Sequence, residues 1–189
     1  MAFLSRWGSR GAGWLTLGAL VGAATALAGQ TGRASEYQVK AVFLFNFAQF
    51  VDWPADAFPD SAASLVICIL GDDPFGGFLD QTVRDEHVGG RALAIRRYRS
   101  ASEIETCHIL FISRTAGERP EDVVAGLKHR PILTVSDADR FAERGGMIRF
   151  VTDRNRIRLQ INLGAAEAAH LTISSKLLRL AEIVTPPRP

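Results

Sequence analysis

Apolar positions recur along this chain at two different spacings. From Tyr37 to Val51 they follow a helical period, and Ser35 with Gln38 forms a capping box at the head of that run, which ends at Trp53-Pro54. Tyr37, Ala41, Leu44, Phe45 and Ala48 share one stripe of this helix, and Phe43, Phe47 and Phe50 make a second. Two apolar stripes require two partners, one of which is the protein's own sheet. Residues 64–71 form a continuous apolar run between turn residues, which predicts a central parallel strand covered on both faces. Asp72, Asp73 and Pro74 then supply the start of a helix that reaches about Val83.

Further strands are predicted at 91–98, 107–112 and 132–135, with a helix over 120–127 and a short one over 137–143 ending at Gly145-Gly146. Residues 147–152 and 156–163 flank Asp153-Arg154-Asn155 as a hairpin at the sheet edge, and 162–184 reads as helix broken near 172–174. Strands alternating with helices predict an α/β, three-layer sandwich with a mostly parallel, flavodoxin-like sheet in the order 2-1-3-4 and the edge hairpin beyond.

The N-terminus has its own pattern. Arg6 and Arg10 precede an uncharged stretch over 11–28 that ends in Ala26-Leu27-Ala28, which is the composition of a secretory signal peptide cleaved after Ala28. The alternative is a permanent membrane anchor, for which the stretch is short and interrupted by Gly18, Gly22 and Thr25. Residues 29–189 then form a single domain. Without Arg6 and Arg10 the chain holds 20 basic and 20 acidic residues, so it offers no global field to attract a nucleic acid.

Export brings Cys68 and Cys107 into an oxidising compartment, and the order 2-1-3-4 makes their strands neighbours, so a disulfide is expected; two buried free thiols are the alternative. The segment from Ile69 to Gly76 sits at a strand-to-helix handover, where open α/β sheets bind ligands. Its glycines lack dinucleotide-binding spacing, and Asp72 and Asp73 would repel a phosphate. Capping explains these residues; if a small ligand binds, Gly71, Asp72 and Asp73 face Ser113, Arg114 and Thr115 across the switch point. Arg96, Arg97 and Arg99 divide between two strand faces. His87, His108, His129 and His170 lack the short spacing of zinc ligands, and no nucleophile elbow is present, so no metal, cofactor or catalytic residue is assigned.

Six collinear segments resemble the YfiR/HmsC-like family of periplasmic proteins: 37–54 (YQVKAVFLFNFAQFVDWP), 67–76 (ICILGDDPFG), 107–113 (CHILFIS), 133–137 (LTVSD), 145–150 (GGMIRF) and 161–180 (INLGAAEAAHLTISSKLLRL). The resemblance implies a homodimeric, non-enzymatic repressor that binds the periplasmic sensor region of an inner-membrane diguanylate cyclase. Cyclic di-GMP and biofilm formation are thereby held down until envelope or redox stress releases the cyclase. It also matches Cys68 and Cys107 to a bridge of the family. The second cysteine pair of some members is absent, and Gln160 stands where Glu is expected. Phe43, Phe47, Phe50 and Trp53 are the candidate partner contacts, with the domain's own core as the alternative use of these aromatics. A ligand sensor and an envelope-structural protein touching peptidoglycan are the rival readings.

Overall fold

The computed structural model describes residues 20–154 and 156–185, with side chains described from Gly32 onward apart from Arg33. The first nineteen residues, which carry most of the expected signal peptide, lie outside the described residues. The chain divides into two units, residues 1–33 and 34–189. The architecture below is that of the second.

Helix α1 (Leu20–Phe50) leads into strand β1 (Val51–Asp52) and a 3-10 turn at Ala55–Ala57. Ser35 and Gln38 therefore lie within the helix rather than at its cap, because the upstream residues Ala23, Ala24, Ala26, Leu27 and Ala28 are strong helix formers. There follow β2 (Leu65–Leu70), α2 (Gly77–Val83), β3 (His87–Val88), β4 (Arg91–Tyr98), β5 (Ile109–Ile112) and α3 (Pro120–Gly126). The remainder comprises β6 (Leu133–Ser136), β7 (Ile148–Asp153), β8 (Arg156–Ile161), α4 (Leu163–Ala168), β9 (Thr172–Ile173), α5 (Ser175–Leu178) and β10 (Ala181–Ile183).

The main sheet has the order β10-β8-β7-β6-β5-β2-β4-β3. β4-β2-β5-β6 is the expected parallel 2-1-3-4 core, and the pairings β2–β4, β2–β5, β5–β6 and β6–β7 are all parallel. β2 is buried on both faces, as its unbroken apolar run requires. Leu65, Ile67 and Ile69 join the core beneath α1 and α2, and Val66, Cys68 and Leu70 join the core beneath α3. Those two cores on opposite faces make the three layers.

Four local expectations are corrected. Asp73 does not cap α2, whose N-cap is Gly76; its carboxylate instead accepts the Phe75 N–H at 2.7 Å in a tight turn. Residues 137–143 form turns rather than a helix, with Arg140 at φ 59° and Gly145 at φ 101°. A Cβ at Gly146 would run into the buried Phe141 ring, so this second glycine is required by close packing. The hairpin β7–β8 forms but is not the edge, since β10 adds in parallel outside β8. The segment after Asn162 is mostly not helical. Thr172 and Ile173 pair with Asp52 and Val51, and Ala181–Ile183 pair with Leu159–Ile161, so backbone pairing overrides the helical propensity of its Ala and Leu residues.

Candidate functional site

The buried side of α1 carries Tyr37, Lys40, Ala41, Leu44, Phe47 and Ala48. Phe47 is 0% exposed and stacks on Phe150 of β7 at 5.8 Å between ring centroids, so this expected contact residue belongs to the core. A 3.6-residue period carries Phe47 round toward Leu44 and Ala48, and a ring of that size is too costly to leave in water when a sheet face lies beneath it. Phe43 and Phe50 are half-buried, each packed against the core while keeping an edge in solvent.

On the outward side, Val39 is 44% and Val42 is 42% exposed. Val39, Val42, Phe43, Asn46 and Phe50 recur at i, i+3, i+4, i+7 and i+11, forming one stripe about 16 Å long. Val39 and Val42 were not singled out from sequence. Their signal was present, since they continue the Phe43/Phe50 face by one turn toward the N-terminus.

Trp53 is half-buried just after β1, its indole N–H donating to the His108 carbonyl at 3.3 Å. His108 is itself a structural hub. Its Nδ1 accepts the Val66 N–H at 3.0 Å, which places the proton on Nε2 to donate to the Ala57 carbonyl at 3.2 Å. Phe58 stacks on the imidazole at 4.4 Å, and Arg91 caps the other side of Phe58 at 3.8 Å. Burial pushes the His108 pKa below its ordinary value, and the charge on Arg91 acts in the same direction against the hydrogen bond to Ala57.

Cys68 and Cys107 form a disulfide with Cα atoms 6.0 Å apart; Cys68 lies on β2 and Cys107 just before β5. The two loops that flank the switch point lie against each other. A Cβ at Gly71 would stand 2.7 Å from the Ala116 Cα, so only glycine fits there, and its φ of 89° agrees. Asp73 is occupied by Phe75 N–H and by Arg97, which also holds Asp80 through two bonds of 2.6 and 3.1 Å. Hydrogen bonding from Arg97 lowers the Asp80 pKa. Asp72 and Thr115 are exposed, and Ser113 is buried with its hydroxyl 3.0 Å from that of Thr115. The structure thus gives Gly71 and Asp73 packing and turn roles, and Arg114 lines a cleft.

That cleft opens one crevice further along, at the C-terminal ends of β5 and β6 and against α1 and β7, with a volume of about 260 Å³. Lys40, only 1% exposed, holds Glu36 at 2.5 Å and Asp137 at 2.6 Å, and its ammonium sits 4.3 Å above the Tyr37 ring. The Tyr37 hydroxyl donates to the same Asp137 oxygen at 2.8 Å. Arg149 donates to Asp139 at 2.7 Å and to Gln160 at 3.2 Å. Sequence reasoning missed this cluster, although a lone lysine inside an apolar helical run, four residues after Glu36, was its visible trace.

Among the described residues no helix is long and apolar enough to cross a membrane, and no group of His, Cys, Asp and Glu has the arrangement of a metal site. The YfiR/HmsC-like family is matched over residues 37–182, which is most of the chain. No curated protein matches it.

Proposed function

This chain belongs to the YfiR/HmsC-like family of periplasmic regulators in the diguanylate cyclase pathway, and on that premise we propose that it represses an inner-membrane diguanylate cyclase by binding the cyclase's periplasmic sensor region. The observation that carries this reading is the stripe on α1. Val39 and Val42 are exposed apolar side chains on a helix whose opposite side already fills the core, and Phe43 and Phe50 extend them. A chain with balanced charge has little long-range attraction to offer, so a complex must draw its affinity from buried apolar contact. Trp53, half-buried just past the helix, is a further candidate contact, being an aromatic of the kind that anchors interfaces.

Repression then consists of holding the sensor region in an inactive arrangement, which lowers cyclic di-GMP and biofilm formation, with the regulator acting as a homodimer. The leader is cleaved after Ala28; intact mass of the protein recovered from the periplasm is expected to begin at Gly29, and a retained Met1 on membrane-bound protein overturns that assignment. The binding reading is tested by capturing solubilised envelope proteins on the immobilised regulator. A diguanylate cyclase, identified by mass spectrometry, is expected with the parent protein and is expected to be lost with Val39→Asp or Val42→Asp at unchanged melting temperature. Equal capture by every folded variant removes the stripe from the mechanism.

A further inference from the structure

A trough of about 560 Å³ lies between α3 and α4, more than twice the volume of the cleft beside α1. Val124 and Leu127 line it from α3 and its C-cap, Ala165 and Ala169 from α4 and its C-cap, and Ile132 and Met147 from the residues that lead into β6 and β7. Val124 and Ala165 are half-buried and Ala168 is exposed, so solvent reaches the trough, while Leu127 and Met147, each 7% exposed, lie at its bottom. Ala165, Ala168 and Ala169 stand at i, i+3 and i+4 on one face of α4, and their short side chains leave the space open. Carbon-lined room of this kind offers water few hydrogen-bond partners. Ligand sites have the same make-up, with mostly apolar walls, volumes of about 300–1,000 Å³ and a few polar groups that fix orientation.

We infer that this trough binds a single-chain anionic amphiphile of the fatty-acid type, with its alkyl chain along the apolar walls and its carboxylate accepting from Lys128. The charges at the trough select that class. Glu121 and Arg144 close on each other at 2.6 Å, whereas Lys128, exposed just past α3, forms no ion pair among the described residues, so the unspent charge is positive. A compact anion would leave the apolar walls uncovered, and a cationic amphiphile would meet Lys128 while the one carboxylate lining the trough is taken by Arg144. The lysine stem can itself lie on apolar surface while its ammonium stays in water, which suits a head group held at the mouth rather than inside. No residue of α1 lines the trough, so this inference does not rest on the outward stripe.

The test is calorimetric titration of the periplasmic protein with laurate below its micelle-forming concentration, beside octanoate and dodecyltrimethylammonium. Saturable binding of one laurate per chain is expected at concentrations up to roughly 1 mM. Octanoate, four methylenes shorter, should bind roughly 100-fold more weakly, and the cationic amphiphile at least about three-fold more weakly, the modest factor an exposed charge supplies. Ala168→Phe places a ring in the trough from an exposed helix position, and is expected to weaken laurate by roughly ten-fold or more at unchanged melting temperature. Lys128→Glu, a surface change, is expected to weaken it by about three-fold or more. Absence of saturable one-to-one laurate binding, equal binding of octanoate, binding of dodecyltrimethylammonium as tight as that of laurate, or laurate affinity unchanged in folded Ala168→Phe overturns the inference. Unchanged affinity in Lys128→Glu overturns it as well, and decides even if the Ala168 variant fails to fold.

Discussion

Replacing Phe47 by alanine distinguishes the core side of α1 from its outward stripe. The ring is fully buried, stacked on Phe150 with an interplanar angle of 19° and 6.2 Å from Phe43, so its removal leaves a cavity walled by aromatic side chains. Large-to-small changes of this kind cost about 3–5 kcal/mol, since the transfer energy of the ring is lost and the cavity relaxes only in part. In a domain of this size about 1 kcal/mol moves the melting temperature by roughly 2–4 °C, so Phe47→Ala is expected to melt roughly 6–20 °C lower. Val42→Ala removes a side chain that is 42% exposed and should shift stability by about 0.5 kcal/mol or less. Both are read by circular dichroism melts under identical oxidising conditions. If Phe47→Ala melts within about 2 °C of the parent while Val42→Ala falls by 6 °C or more, the division of α1 into core and contact faces is wrong.

Loss of the Cys68–Cys107 bridge opens a loop with a sequence separation of 39, and chain entropy puts its contribution at about 4 kcal/mol. The double Cys→Ala variant is therefore expected to melt well below the parent in non-reducing buffer, and equal melting temperatures would show that the bridge contributes nothing. His108 predicts a pH effect with a definite sign. Its folded-state pKa is depressed, so as pH falls below about 6.5 the unfolded chain takes up the proton first. Stability is full above that value and declines toward the folded pKa. His108→Gln can keep both hydrogen bonds without titrating, and the loss of melting temperature between pH 7.5 and 5 should be smaller in it than in the parent; parallel declines would refute the assignment.

The legible parts of this fold were those written in strong local periodicity. Residues 65–70 and 109–112 are apolar on both faces, which only a central parallel strand can use, and the sheet order follows from placing them side by side. The hairpin was legible from the alternation of Arg156, Arg158 and Gln160 with Ile157, Leu159 and Ile161. What was not legible depended on partners far away in sequence. Ala181–Ile183 becomes a strand because β8 offers an edge, and Thr172–Ile173 because β1 does, and neither segment advertises this locally. The same limit applies to the cleft. Asp137 reads as the start of a short helix until Lys40, 97 positions earlier, is brought to 2.6 Å from it. The aromatic stripe was half legible, because helical period alone places Phe43 and Phe47 on adjoining faces, and although both rings reach Phe150, Phe47 is sealed while Phe43 stays half-buried.

The most direct test of repression is the level of cyclic di-GMP in cells lacking the gene and complemented with the parent protein or with Val42→Asp. Deletion is expected to raise cyclic di-GMP, the parent to restore the low level, and the folded Val42→Asp protein to leave it high. An unchanged level on deletion would contradict the regulatory reading itself, and full repression by Val42→Asp would contradict its assignment to the outward face of α1.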